Sequence, residues 1–292
     1  MYLTSRKAWP VNPSYIKKME AILSIHNIFK NFASQYTGHD GKEAREYAQL
    51  LNGINMEVLR GKIIAILGTN GSGKSTLFNI ISGLLPPSEG NIKYLYNGRV
   101  YELTKLDAYQ HARIGIARLF QGSNIFENLT ILENMAVADN DRFGEQFWQI
   151  LNPIRKKEIF RQQEAKNILF TLMGKKNPLW EKRNDLAGSL SIGQQRLLAF
   201  ARLFMNEKAE LYLLDEPCAG VNPELRKTMA LMIKTLKSQG KTVVLIEHNL
   251  DFVEETCDDA CYLEAGKILI QGTVNEVLNH QELKINYLGE GL

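Results

Sequence analysis

The apolar run Ile63-Ile-Ala-Ile-Leu67 leads directly into Gly68-Thr-Asn-Gly-Ser-Gly-Lys-Ser75, and this junction constrains the fold more tightly than any other stretch of the chain. Five apolar residues without alternation are the pattern of a strand covered on both faces, which implies a mainly parallel sheet with helices on either side. The turn fits G-x-x-x-x-G-K-[ST], and Ser75 to Leu84 beyond it has helical spacing up to Pro86-Pro87. Glycines in such a turn let successive backbone N–H groups point inward around phosphate oxygens, where a Cβ would clash. The first turn of the following helix adds the positive end of its dipole. Gly68, Asn70, Gly71, Ser72, Gly73, Lys74, Ser75 and Thr76 are therefore the candidate phosphate-binding residues. Within them Lys74 is expected to reach the β- and γ-phosphates of a nucleotide, and the Ser75 hydroxyl to coordinate Mg²⁺.

A second apolar run, Leu211-Tyr-Leu-Leu, ends in the adjacent carboxylates Asp215 and Glu216. Alone, that is an ordinary strand end. Downstream of a phosphate-binding turn and just before Pro217, it places Asp215 beside a metal ion and Glu216 where a carboxylate can orient or deprotonate an attacking water. A third buried-strand run, Thr242-Val-Val-Leu-Ile246, is separated from the second by helical spacing over Pro223 to Gln239.

The rest of the chain is organised around these runs. Residues 1–20 carry Pro10, Pro13 and scattered charge without periodicity, and read as an N-terminal extension in which Met19 offers an alternative start. A first strand is expected over Ala21 to Ile28, then a polar surface insertion at Thr37 to Glu46, then strand-like Leu50 to Val58. Residues from about 125 to 195 are charged and amphipathic and suggest a mainly helical subdomain. The tail from Cys261 reads as a hairpin turning at Ala265-Gly266, then a short helix. A net charge of +3 is too small to argue for nucleic acid as a partner. Cys218, Cys257 and Cys261 form no CxxC pair and no metal-ligand spacing; Cys257 and Cys261, four apart, are expected to pack in the core, and a reducing compartment fits. No run approaches the roughly 18 apolar residues that cross a bilayer, and the N-terminus lacks an apolar signal core. A membrane role would have to come through a partner.

Leu190-Ser-Ile-Gly-Gln-Gln195 resembles the LSGGQ signature of ATP-binding cassette (ABC) proteins, and the other family elements follow in order. Gln121, in Arg118-Leu-Phe-Gln-Gly122, resembles the glutamine that contacts Mg²⁺ and the lytic water, and His248, after Leu245-Ile-Glu247, resembles the switch histidine that contacts the γ-phosphate. Phe32 matches the aromatic that stacks on adenine, with Tyr36 as the alternative. The resemblance implies an α/β fold: a P-loop NTPase core with a mixed, mostly parallel sheet, an antiparallel β subdomain and a helical subdomain. Core and antiparallel β would occupy 21–122 and 196–292, and the helical subdomain about 123–195. Ser191, Gly193 and Gln194 would form a second anion site facing the γ-phosphate on the opposite subunit, so a second cassette, identical or a paralogue, is the implied partner. Lys74, Gln121, Glu216 and His248 are then the catalytic set, with Ser75, Gln121 and Asp215 around Mg²⁺. Two positions depart from the common pattern: Ile192 replaces a glycine, which need not remove a phosphate contact if its side chain faces the helical subdomain, and Asn222 replaces the usual Asp of Ala219-Gly-Val-Asn222-Pro.

Leu-Leu-Asp-Glu-Pro-Cys-Ala-Gly-Val-Asn-Pro-Glu224, Leu245-Ile-Glu-His-Asn-Leu-Asp251, Asn152-Pro in a long helical insert and the closing Tyr287-Leu-Gly-Glu290 resemble the ATPase subunits of branched-chain (hydrophobic) amino-acid importers. Urea importers and lipopolysaccharide exporters are the nearby alternatives, and a soluble cassette ATPase without a transport role is a more distant one. The resemblance implies integral-membrane permease subunits, reached through Ile125 to Leu132, a periplasmic binding protein, and a place on the cytoplasmic face of the inner membrane.

Overall fold

The computed structural model describes residues 21–37, 43–122, 124–138, 154–174 and 177–288. Its centre is β3 (Ile63–Leu67), flanked in parallel by β8 (Thr242–Ile246) and β9 (Asp259–Glu264). Beyond β8 lie β7 (Leu211–Asp215) and then β6 (Ile116–Leu119), both parallel, and β10 (Lys267–Thr273) closes the other edge antiparallel to β9. Every residue of β3, β7 and β8 is buried. The unbroken apolar run of β3 follows from two cores, one on each face of the sheet. Ile63, Ala65 and Leu67 pack with residues of α6 (Ile192–Leu203) and α7 (Pro223–Ser238), such as Leu198 and Met232. Ile64 and Ile66 pack with Leu77 and Phe78 of α1 (Lys74–Ile81) and with Ile22 and Ile25. Alternation cannot appear in a strand whose two faces are both dry.

Ile22 and Ile25 belong to a second, antiparallel sheet in the order β2-β1-β4-β5, formed by β1 (Ala21–Thr37), β2 (Glu43–Leu59), β4 (Glu89–Tyr96) and β5 (Arg99–Glu102). Here the structure corrects the sequence reading. The first strand does not stop at Ile28, and Thr37 to Glu46 is not a loop inserted between strands. Pairing continues outward through Phe32↔Ala48 to Thr37↔Glu43, so the polar segment is the far end of one long ribbon, with residues 38–42 outside the described set. Polar residues conceal such a ribbon because its ladder is held by backbone bonds, which leave no apolar alternation in the sequence. Register shifts around Ile25 to Asn31, with Asn27 in the left-handed region, mark where the ribbon leaves the packed sheet.

Between β5 and β7 lie α2 (Ala108–Arg113), α3 (Ile131–Val137), α4 (Ile154–Met173), α5 (Pro178–Glu181) and α6. Downstream of β8 come α8 (Leu250–Thr256), α9 (Val274–Leu278) and α10 (Gln281–Leu288), the last two being a pair of short helices where one was expected. The Ala265-Gly266 hairpin forms as expected, both residues at positive φ. Cys218 and Cys261 are buried and Cys257 half-buried, all as free thiols, and burial pushes the Cys261 thiol up to about 12. Among the described residues no helix is long and apolar enough to cross a membrane. The extension over 1–20, the Asn152-Pro pair and Gly289-Glu290 lie outside the described residues.

Candidate functional site: a phosphate-binding turn facing a carboxylate, amide and imidazole cluster

The turn between β3 and α1 requires glycine for two different reasons. A Cβ on Gly68 would stand 2.2 Å from the Leu263 carbonyl oxygen, so the backbone passes too close to β9 for any side chain. Gly73 sits at φ 107° as the N-cap of α1, and a Cβ there would lie 2.5 Å from Leu51 Cδ2. With glycine at that position, α1 starts without any side-chain cap. Its first-turn N–H groups, among them those of Ser75 and Thr76, are thus left for an outside acceptor. The Ser72 hydroxyl is buried and has no hydrogen-bond partner, a cost that a bound anion would remove. The Lys74 side chain bends back so that Nζ donates to the carbonyls of Gly68 at 2.7 Å and Thr69 at 2.8 Å. Burial lowers the Lys74 pKa, while Glu216, Glu264 and Asp215 oppose that shift by attraction. An uncapped helix start, an orphaned hydroxyl and a sheltered ammonium fit a triphosphate. The helix stops at Ile81 rather than at Leu84, capped by Ser82.

Opposite the turn, the strand ends bring Gln121, Glu216 and His248 together. Gln121 Nε2 donates to Glu216 Oε2 at 3.2 Å, and His248 Nε2 lies 3.2 Å from Glu216 Oε1. Glu216 holds φ at 47°, a left-handed conformation costly for a residue with a Cβ. Its N–H donates to the Ile246 carbonyl at 3.0 Å, which ties the start of this turn to β8. Asp215, the last residue of β7, is buried and paired with Arg118, Nη2 to Oδ2 at 3.2 Å. Burial raises the Asp215 pKa, and the Arg118 guanidinium opposes that. The Ser75 hydroxyl, the Gln121 amide oxygen and the Asp215 carboxylate are hard oxygen donors of the kind Mg²⁺ takes.

The signature segment stands apart from this cluster. Ser191 is the N-cap of α6: its Oγ accepts from Gln194 N at 3.4 Å, and Gln194 Oε1 accepts from Ser191 N at 3.2 Å. These bonds stay inside the helix's own first turn. Ile192, at the first position of α6, is 73% exposed and projects into solvent. Gly193 faces Leu225 of α7, whose methyl a Cβ would meet at 2.7 Å. Asn222 N-caps α7, its Oδ1 accepting from Leu225 N at 2.9 Å, and Asn caps a helix as well as Asp does. Phe32 lies on β1 where the ribbon leaves the sheet, 42% exposed, with the Lys30 ammonium 5.2 Å from its ring centroid. The side chain of Tyr36 lies outside the described set.

Two further residues hold the site and were not singled out as candidates in the sequence. Glu247 is buried and accepts from the backbone of Cys218 at 2.8 Å and of His248 at 3.2 Å, bridging the loops that follow β7 and β8. Arg118 supports Asp215. The available signal was the same for both: a charge within or ending a buried apolar strand must have a partner.

The ABC transporter family matches residues 51–219, more than half of the chain. The chain belongs to this family, and it is an ATPase of the ABC type that binds and hydrolyses ATP. It is 34% identical over 269 residues to a probable branched-chain amino acid transport ATP-binding protein, LivG, of Archaeoglobus fulgidus, covering 92% of this chain and 95% of the relative. It is 32% identical over 242 residues to the high-affinity branched-chain amino acid transport ATP-binding protein BraF of Pseudomonas aeruginosa, covering 82% and 92%. A nucleotide-free ATP-binding cassette from an ABC transporter superposes with a TM-score of 0.71 at 29% identity, over 92% of this chain and 98% of the other.

Proposed function

We propose that this chain is the ATP-hydrolysing subunit of a membrane importer for branched-chain or other hydrophobic amino acids, and that it works as a pair of cassettes closed over two ATP molecules. The observation that carries the hydrolytic part is the bonded set Gln121–Glu216–His248 opposite Lys74. The amino-acid part rests on the relatives named above.

In this reading the phosphates lie along the N–H groups of residues 70–76, and Lys74 moves from the Gly68 and Thr69 carbonyls to their β- and γ-oxygens. Mg²⁺, held by Ser75, Gln121 and Asp215, would neutralise phosphate charge. Glu216, fixed from two sides by Gln121 and His248, accepts a hydrogen bond from the attacking water and takes up its proton as the water oxygen adds to the γ-phosphorus and the bond from phosphorus to the β–γ bridging oxygen breaks, leaving ADP and inorganic phosphate. His248 then faces the γ-phosphoryl oxygens. Charge spreads over those oxygens in the transition state, so prearranged cationic and N–H donors supply most of the acceleration. Ser191, Gly193 and Gln194 complete the site of the opposite subunit. Phe32 stacks on adenine. The permease docks near Gln121 and the 125–132 segment, a periplasmic binding protein delivers the cargo, and the ATPase lies on the cytoplasmic face of the membrane, held there by the permease.

Co-expression with the neighbouring permease genes followed by reconstitution tests this directly. Leucine-stimulated ATP hydrolysis with uptake into vesicles is the expected result. Stimulation by urea, or by an outward-moving lipid, would replace the proposed cargo and leave the ATPase reading intact.

A further inference from the structure

Arg118 has no part in the chemistry described above, yet it sits where three of its elements meet. Its neighbours on β6, Ile116, Ala117 and Leu119, are all buried. Nη1 donates to Asn79 Oδ1 at 2.8 Å and to Ser82 Oγ at 2.7 Å, one within α1 and the other at its end. Nη2 donates to Asp215 Oδ2 at 3.2 Å. The guanidinium also lies 4.7 Å from the Phe120 ring centroid and 5.8 Å from that of Phe78. One side chain thus touches the helix that follows the phosphate-binding turn, the carboxylate at the end of β7, and the residue before Gln121. Both ion-pair partners are nearly sealed, their side chains 8% and 5% exposed. A sealed ion pair is weak evidence for stability, since apolar residues of equal volume often serve as well or better. The geometry has a different consequence: with Nη1 taken by Asn79 and Ser82, a single bond from Nη2 engages Oδ2, and among the described residues Oδ1 of Asp215 is left clear.

We infer that Arg118 is a positioning residue for the metal site: it fixes the Asp215 carboxylate in one orientation, with Oδ1 kept for the coordination shell of Mg²⁺, and ties that carboxylate to the segment carrying Gln121. The inference rests on the proposed role of Asp215 as a metal ligand. Partners that orient ligands from behind typically change metal affinity by about 10–100-fold when removed.

The test is binding of a fluorescent ATP analogue to the full chain, titrated with Mg²⁺ and repeated in EDTA, for the wild type, Arg118→Lys, Arg118→Met and Asp215→Asn. Apo melting curves establish that each variant is folded. The wild type gains affinity with Mg²⁺, and Asp215→Asn is expected to lose that gain. Arg118→Met should need about tenfold more Mg²⁺ for half-saturation, with EDTA binding unchanged. Arg118→Lys keeps the charge without the fork and should fall between them, and it decides the matter alone if Arg118→Met does not fold. A wild-type Mg²⁺ response in the folded Arg118 variants, with the response lost in Asp215→Asn, overturns the inference and leaves the metal-ligand reading standing. A wild-type response in Asp215→Asn overturns both. Equal weakening of the Arg118 variants with and without Mg²⁺ marks a merely structural residue and overturns the inference.

Discussion

The P-loop region and the signature segment both carry polar groups that the family resemblance assigns to ATP, yet within one chain they are in opposite conditions. Around the P-loop, Lys74 and Asp215 are buried while Gln121 and His248 are exposed, yet all are already committed to partners: Lys74 to the turn's carbonyls, Glu216 to Gln121 and His248, Asp215 to Arg118. At the signature, Ser191 and Gln194 bond within their own helical turn, and Ile192 projects into water beside them. The contrast is that one half of the proposed site is pre-built, while the other is a finished surface with an apolar residue at its edge, as the proposed pairing of two cassettes would require. The strain in Glu216 belongs to the pre-built half, where surrounding bonds can hold an unfavourable φ.

The comparison can be broken at either end. Glu216→Gln should lower the hydrolysis rate by about 10²–10⁴-fold, the usual worth of a positioned base, while ATP binding persists; turnover assays with equilibrium binding read both. Arg118→Met should cost the apo protein about 3–5 kcal/mol, because Asp215 is left buried and unpaired; chemical denaturation measures it, and the pre-built half is not sealed as described if the loss is negligible. Ser191→Arg should reduce hydrolysis about a hundredfold, as expected for losing a donor to the transition state, yet leave ATP affinity of the single chain unchanged. Equal loss of binding and turnover there would show that the signature acts within its own chain. Phe32→Ala should weaken ATP binding by about 1–3 kcal/mol, the range for a base stacked on an aromatic ring, which calorimetry resolves. Asn222→Ala removes a helix cap and should cost about 1 kcal/mol, whereas Asn222→Asp should leave the melting temperature nearly unchanged.

Much of the site was legible because its chemistry is local. The strand, turn and helix around Gly68 to Ser75 are contiguous, so spacing alone conveys the geometry, and Asp215-Glu216 announces itself by ending a buried run. Phe32 was harder to place, since its register depends on a ribbon whose polar sequence carries no apolar periodicity. Arg118 and Glu247 were illegible as site residues for another reason. Each acts on a residue distant in the chain, Arg118 on Asp215 and Glu247 on Cys218, and a charge in an apolar strand shows that a partner exists without naming it.

The sequence by itself determined the parallel core, the phosphate-binding turn and the order of the motifs, since these depend on side-chain period and on glycine where no Cβ fits. Only the tertiary structure decided that the first hairpin runs on as a ribbon, that Ile192 faces solvent, and that Arg118 closes on Asp215. Those outcomes depend on which strands become neighbours in the sheet, and that is fixed by burying two cores at once rather than by any single stretch of chain.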